Sequence, residues 1–178
     1  MKSKSKTYLY LILSLLLSVN GFGQVTTDPI APAASSTVKI IYDASQGTTG
    51  LKDCNCDVYI HIGAVTGGEA STTWTIVPFE WATTNPAAKM NKVAGQTNIY
   101  TFELVPNEFF ENPNNLTIYR LGMVFRNADG TKEGKTTSNG DFFIDLAQGF
   151  DIAFTAPQSA GSISLEIGES FEFKATST

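Results

Sequence analysis

A chain of 178 residues, 42% hydrophobic and only 16% charged, can bury a domain-sized core, and that composition excludes wholesale disorder. The net charge is −5 with no Lys/Arg cluster, which argues against a nucleic-acid binder and against a partner of anionic membranes. Frequent turn formers among few charges suit an all-β protein of short strands.

Lys2, Lys4 and Lys6 precede an apolar run from Tyr8 to Val19, and Gly21-Phe22-Gly23 supplies small residues for cleavage. Residues 1–23 therefore read as a secretory signal peptide. The run is short for a bilayer span, which needs about 20 apolar residues. No Cys follows to carry a lipid. The mature chain is expected to start at Gln24, its charge moving from −5 to −8 as three lysines leave. Its expected location is secreted, periplasmic or cell-surface, with no membrane contact after cleavage.

Residues 24–36, rich in Thr, Pro, Ala and Ser, read as a linker. Val38, Ile40 and Tyr42 then alternate with Lys39 and Asp43 as a strand. Cys54 and Cys56 form a C-x-C pair. In an exported chain a local disulfide is expected there, with two free thiols as the alternative. Two thiolates without a clustered His or further Cys make a poor zinc site. In Asp57-Val58-Tyr59-Ile60-His61-Ile62-Gly63, Val58, Ile60 and Ile62 share one face and Tyr59 and His61 the other.

Residues 63–73 read as a loop, followed by a strand with Trp74 and Ile76 on one face that Pro78 ends. Residues 89–93 and 98–104 read as a hairpin around Ala94-Gly95-Gln96. Residues 106–110 read as one helical turn opened by Pro106. The longest predicted strand, 117–126, places Tyr119, Leu121, Met123 and Phe125 on one face and Arg120, Gly122 and Arg126 on the other. Asn127-Ala128-Asp129-Gly130 is a turn signal. Phe142, Ile144 and Leu146 then alternate with Phe143 and Asp145. The expected core holds Tyr100, Phe102, Tyr119, Leu121, Phe125 and Phe142.

About seven strands in roughly 110 residues predict an Ig-like antiparallel β-sandwich over residues 37–147. Beyond Gln148-Gly149, residues 151–154, 162–167 and 171–174 read as three more strands. Three strands cannot enclose a core. Residues 148–178 are thus expected to be the incomplete start of a second Ig-like domain in a longer polypeptide, or linker strands packed on the first domain.

The stretch from Val38 to Leu146 resembles the N-terminal modules that precede α-amylase-type glycoside hydrolases in secreted Bacteroidota proteins. The matching pieces are residues 57–63, Trp74, Trp81, Lys89-Met90, Leu121-Gly122-Met123-Val124-Phe125-Arg126-Asn127-Ala128-Asp129-Gly130 and Asn139-Gly140-Asp141-Phe142-Phe143-Ile144. Such modules are similar to starch-binding modules, in which aromatic residues of an early strand and one or two Trp make a glucan platform. By position, the resemblance implies that Tyr59 and His61 are the early-strand pair and Trp74 a platform residue, with Trp81 matching less closely. It also implies a catalytic domain downstream of Thr178 as partner.

The residues point the same way. Flat rings beside a few polar groups suit a sugar, whose C–H face stacks while its hydroxyls hydrogen-bond. The candidate carbohydrate-binding residues are Tyr59, His61, Trp74, Trp81 and Lys89, with Glu80 a further candidate for sugar hydroxyls. The bland alternatives are an outward strand face covered by a loop for Tyr59 and His61, and packing for the two Trp. Asp129, Glu133, Asn139 and Asp141 crowd the last hairpin, but their spacing departs from a calcium loop. One His and no G-x-S-x-G, H-E-x-x-H or P-loop give no catalytic reading, and no cofactor is expected. The function expected is a secreted, non-catalytic module for starch or another α-glucan. The alternative is a structural Ig-like spacer or a protein-binding surface module.

Overall fold

The alternation of apolar and polar residues in Val38–Asp43 and Ile99–Leu104 leaves each segment one face to bury, and the two pair antiparallel along six residues. The computed structural model describes residues 24–112 and 114–149, and the backbone of residues 152–156 and 174–177. A first sheet runs in the order β1 (Val25–Asp28), β2 (Val38–Asp43), β5 (Ile99–Leu104), β4 (Asn91–Lys92). A second is built on β3 (Tyr59–Val65) and β6 (Arg120–Arg126), antiparallel from Tyr59↔Arg126 to Val65↔Arg120. On the far side of β6, β7 (Glu133–Gly134) and β8 (Phe142–Asp145) share one lane end to end.

The protein is thus all-β, with antiparallel sheets arranged as a sandwich. Val38, Ile40 and Tyr42 of β2 and Tyr100, Phe102 and Leu104 of β5 meet Ile60, Ile62, Leu121, Met123 and Phe125 of the other sheet in one core. The Tyr42 and Phe125 rings stack at 3.8 Å and 12°. Among the described residues helix is confined to a 3-10 turn at Pro86–Ala88, where the Asn85 side chain accepts from the Ala87 N–H at 2.9 Å, and to α1 (Pro106–Phe109). Among the described residues no helix is long and apolar enough to cross a membrane. Cys54 and Cys56 are disulfide-bonded just ahead of β3.

Several sequence expectations need correction. The span read as a linker contains β1, which pairs with β2 from Val25↔Tyr42 to Asp28↔Lys39. Its four residues are too few for alternation to stand out beside Pro29, Pro32 and a run of small residues. The Trp74–Ile76 strand is absent; a single bridge, Ala64↔Ile76, ties that segment to β3. Tyr119 is half-buried and outside β6, and Ile118 takes the core position instead. The chain joins β6 through a change of parity at residues 118–121, which strict alternation cannot anticipate. In the tail, β9 (Ile152–Ala156) and β10 (Lys174–Ser177) pair antiparallel; the strand expected at 162–167 and the signal peptide at 1–23 lie outside the described residues.

Phe125 joins both sheets, so Phe125→Ala is expected to cost about 3–5 kcal/mol in urea unfolding at pH 7. A loss below about 1 kcal/mol would place the centre of the core elsewhere.

Candidate functional site

The register of β3 on β6 sets out the outer face of the second sheet row by row: Tyr59 beside Arg126, His61 beside Val124, Gly63 beside Gly122. Two adjacent glycines leave a flat patch of backbone with no side chain above it. The loop after β3 turns back over this patch. The Thr75 N–H donates to the Ala64 carbonyl at 2.7 Å, and the Ala64 N–H to the Ile76 carbonyl at 2.9 Å. Trp74 is thereby laid over the glycine pair: a Cβ on Gly63 would sit 2.7 Å from Trp74 Cε3, and one on Gly122 would collide with Trp74 Nε1. One indole face rests on the sheet, and the ring remains half-buried.

His61 stands between the two indoles. Its ring centroid lies 5.5 Å from Trp74 at 36°, and 5.0 Å from Trp81 at 89°, an edge-to-face contact. Trp81 is 42% exposed. It is held from behind by Arg126, which is fully buried. Arg126 Nη2 donates to the Thr83 carbonyl at 2.6 Å, and Nη1 to the carbonyls of Asn127 and Ala128 at 3.0 and 3.1 Å. The guanidinium carbon lies 5.4 Å from the Tyr59 ring and 5.6 Å from the Trp81 ring. The 127–130 turn closes under Trp81, where Gly130, at φ 71°, leaves room for the indole Nε1.

These residues enclose an open depression of about 430 Å³. His61, Val124 and Trp74 form its floor and Trp81 a wall. Thr72, Glu133, Lys135 and Asp141 form a polar rim. Lys135 Nζ pairs with Glu133 Oε2 at 2.7 Å. Three polar atoms in this region, His61 Nδ1, Trp74 Nε1 and Arg126 Nε, are buried without a hydrogen-bond partner among the described residues. Burial, and next the Arg126 charge, hold the His61 pKa below the usual imidazole value, while Asp141 pulls it upward. The imidazole is therefore neutral at pH 7.

His61, Trp74 and Trp81 converge on this depression, whereas three of the sequence candidates, Tyr59, Lys89 and Glu80, do not line it. Tyr59 points outward from β3 as its parity requires, but it is only 6% exposed and packs under the Arg126 guanidinium. It supports the site from below and is not an exposed shelf. Lys89 bridges to Tyr59 on the open edge of β3, and its Nζ bonds Asp57 at 2.7 Å, a contact that raises its pKa. Glu80 is exposed and likewise not part of the lining. Asp129 accepts from the Thr131 N–H and hydroxyl at 3.1 and 2.7 Å, bonds that lower its pKa. Among the described residues no group of three or more His, Cys, Asp or Glu is placed to hold a metal ion.

Sequence reasoning missed the glycine bed, the Arg126 clamp and the rim of Thr72, Glu133, Lys135 and Asp141 as one wall. The glycine bed did leave a signal: Gly63 and Gly122 both interrupt β-branched and apolar runs at outward positions, which marks close approach of another group.

The chain has one His, so between pH 5.5 and 7.5 His61 is the side chain expected to titrate. Its folded pKa is lowered, so the unfolded chain binds more protons and stability rises with pH. Full stability holds above about pH 6.5 and is lost as pH falls toward the folded pKa. Melting curves should show Tm falling from pH 7.5 to 5.5, and His61→Gln should flatten that slope. An unchanged slope would place His61 in solvent. In a Trp81→Phe background, Gly122→Ala should red-shift Trp74 fluorescence by lifting the ring off the sheet; an identical spectrum would contradict the stacked geometry.

Residues 25–133 match the model of a protein family described as a domain of unknown function (DUF8578). The match includes His61, Trp74, Trp81 and Arg126 and stops short of Lys135 and Asp141. No curated protein matches the chain.

Proposed function

The chain belongs to the DUF8578 family, and we propose that it is a non-catalytic carbohydrate-binding module whose ligand lies in the depression between Trp74 and Trp81. One observation carries this reading: an indole laid on a bed of two glycines, with a second indole and a neutral imidazole beside it and a polar rim around them. A ring fixed against backbone loses little side-chain entropy when a ligand stacks on it. Sugar hydroxyls then donate to Glu133, Asp141 and Thr72, and accept from His61 or Lys135, according to ring orientation.

The sequence resemblance to starch-binding modules favours an α-glucan, held so as to keep a linked hydrolase near its polymer and raise local substrate concentration. The apolar leader after Lys2, Lys4 and Lys6 supports export to where such polymers occur. The open, shallow shape suits an internal stretch of a chain and a modest affinity per site.

Affinity electrophoresis of the whole chain in gels with and without amylopectin tests the proposal. Retardation is expected, and Trp74→Ala should weaken it about tenfold or more with an unchanged circular dichroism spectrum. Unretarded migration of the native chain would sink the glucan reading and leave a structural spacer as the better account.

A further inference from the structure

We infer that the depression selects saccharides by charge: it takes neutral and amine-bearing sugars and rejects uronic-acid and sulfated ones, with Asp141 as the discriminating side chain. This inference rests on the saccharide reading above and adds a ligand class to it.

The argument is an inventory of the charges a bound sugar would meet. Lys135 is the only ammonium of the lining among the described residues, and it is already engaged with Glu133 at 2.7 Å. Arg126 is fully buried behind Trp81, and its two Nη atoms are committed to three backbone carbonyls. It cannot reach a ligand without abandoning them. The imidazole of His61 is held neutral by burial and by Arg126. Among the described residues of the lining, no cation is therefore free to pair with a ligand carboxylate or sulfate.

Asp141 is the converse case. It is exposed at the edge of the depression, and no hydrogen bond or ion pair engages its carboxylate among the described residues. It is an unengaged acceptor in the same depression as the two indoles. A hydroxyl can donate to it, and an ammonium does so with charge assistance. That ammonium would also face the negative π-surface of Trp74 or Trp81. A uronate would bring like charge against Asp141, and Glu133 is no remedy because it too is acidic. The overall charge of −5 repels polyanions at longer range.

Three polymers on one backbone isolate this effect: amylose, amylose oxidised at C6 to the uronate, and 6-amino-6-deoxyamylose. Binding of the whole chain is measured by calorimetry at low and high salt. Relative to amylose, the oxidised polymer should bind at least about tenfold more weakly and the aminated one about tenfold more tightly, both differences shrinking with salt. Asp141→Asn should narrow the spread between aminated and oxidised polymers to within about threefold. Lys135→Gln, which releases Glu133, should widen it, and this variant keeps the inference testable if Asp141→Asn folds poorly. Equal binding of all three polymers, or a spread that survives Asp141→Asn, overturns the inference and leaves the saccharide reading standing. Binding of none of them by a folded chain overturns both.

Discussion

The register between β3 and β6 is the constraint on which the rest depends. It sets Ile60 and Ile62 beside Phe125 and Met123 on the core side, and Gly63 beside Gly122 on the outside. A slip of one residue would exchange the faces of a strand. The aliphatic rows would then be exposed and the imidazole buried, so core burial and site formation are secured by the same pairing. Among the described residues the β3 edge away from β6 is covered only at single bridges to Ile76 and Lys89. Those bridges blunt an edge that would otherwise be open to another chain, and the first of them steers Trp74 over the sheet.

Arg126 carries the second constraint. A guanidinium with no exposed surface and no carboxylate partner pays a desolvation penalty of several kcal/mol. Here three carbonyl oxygens and the faces of Tyr59 and Trp81 surround it. Hydrogen bonds to a charged group contribute about 1.5–3 kcal/mol each, so the three offset much of that penalty, while Nε has no hydrogen-bond partner among the described residues. The arrangement ties the Thr83 loop and the 127–130 turn to the end of β6. Trp81 stands upright because the loop beneath it is fastened by a buried charge. Burial first and the same charge second depress the His61 pKa, so the clamp that shapes the wall also helps keep the floor neutral.

The site therefore combines rigid apolar surface with a rim in which Lys135 and Glu133 are already paired. Trp74 is immobilised by backbone, Trp81 by Arg126, and Lys135 by Glu133. Little remains to be ordered when a flat, hydroxyl-bearing ligand arrives, which is how a shallow surface can reach useful affinity. The charged part of the rim, Glu133, Lys135 and Asp141, comes from β7 and the approach to β8, on the opposite side of β6 from the Trp74 loop, which supplies Thr72. One strand thus joins the aromatic and polar halves of the depression.

What the amino-acid sequence determined by itself was the parity of the strands. Val38/Ile40/Tyr42, Ile60/Ile62 and Leu121/Met123/Phe125 declared their buried faces, because alternation is local and each residue reports its own side. The outward placement of Tyr59, His61, Gly63, Gly122 and Arg126 followed from the same rule, and so did the all-β class. Short or irregular pieces escaped it: β1 is four residues long, and residues 118–121 shift parity on entering β6. Only the tertiary structure decided which outward residues meet solvent. Tyr59 and His61 have the same parity, yet one is covered and the other lines the depression. The difference comes from a loop carbonyl, at Thr83, bonded to a side chain 43 residues away. Periodicity carries no record of such a contact, because it depends on where two distant segments come to rest once the sheet has formed.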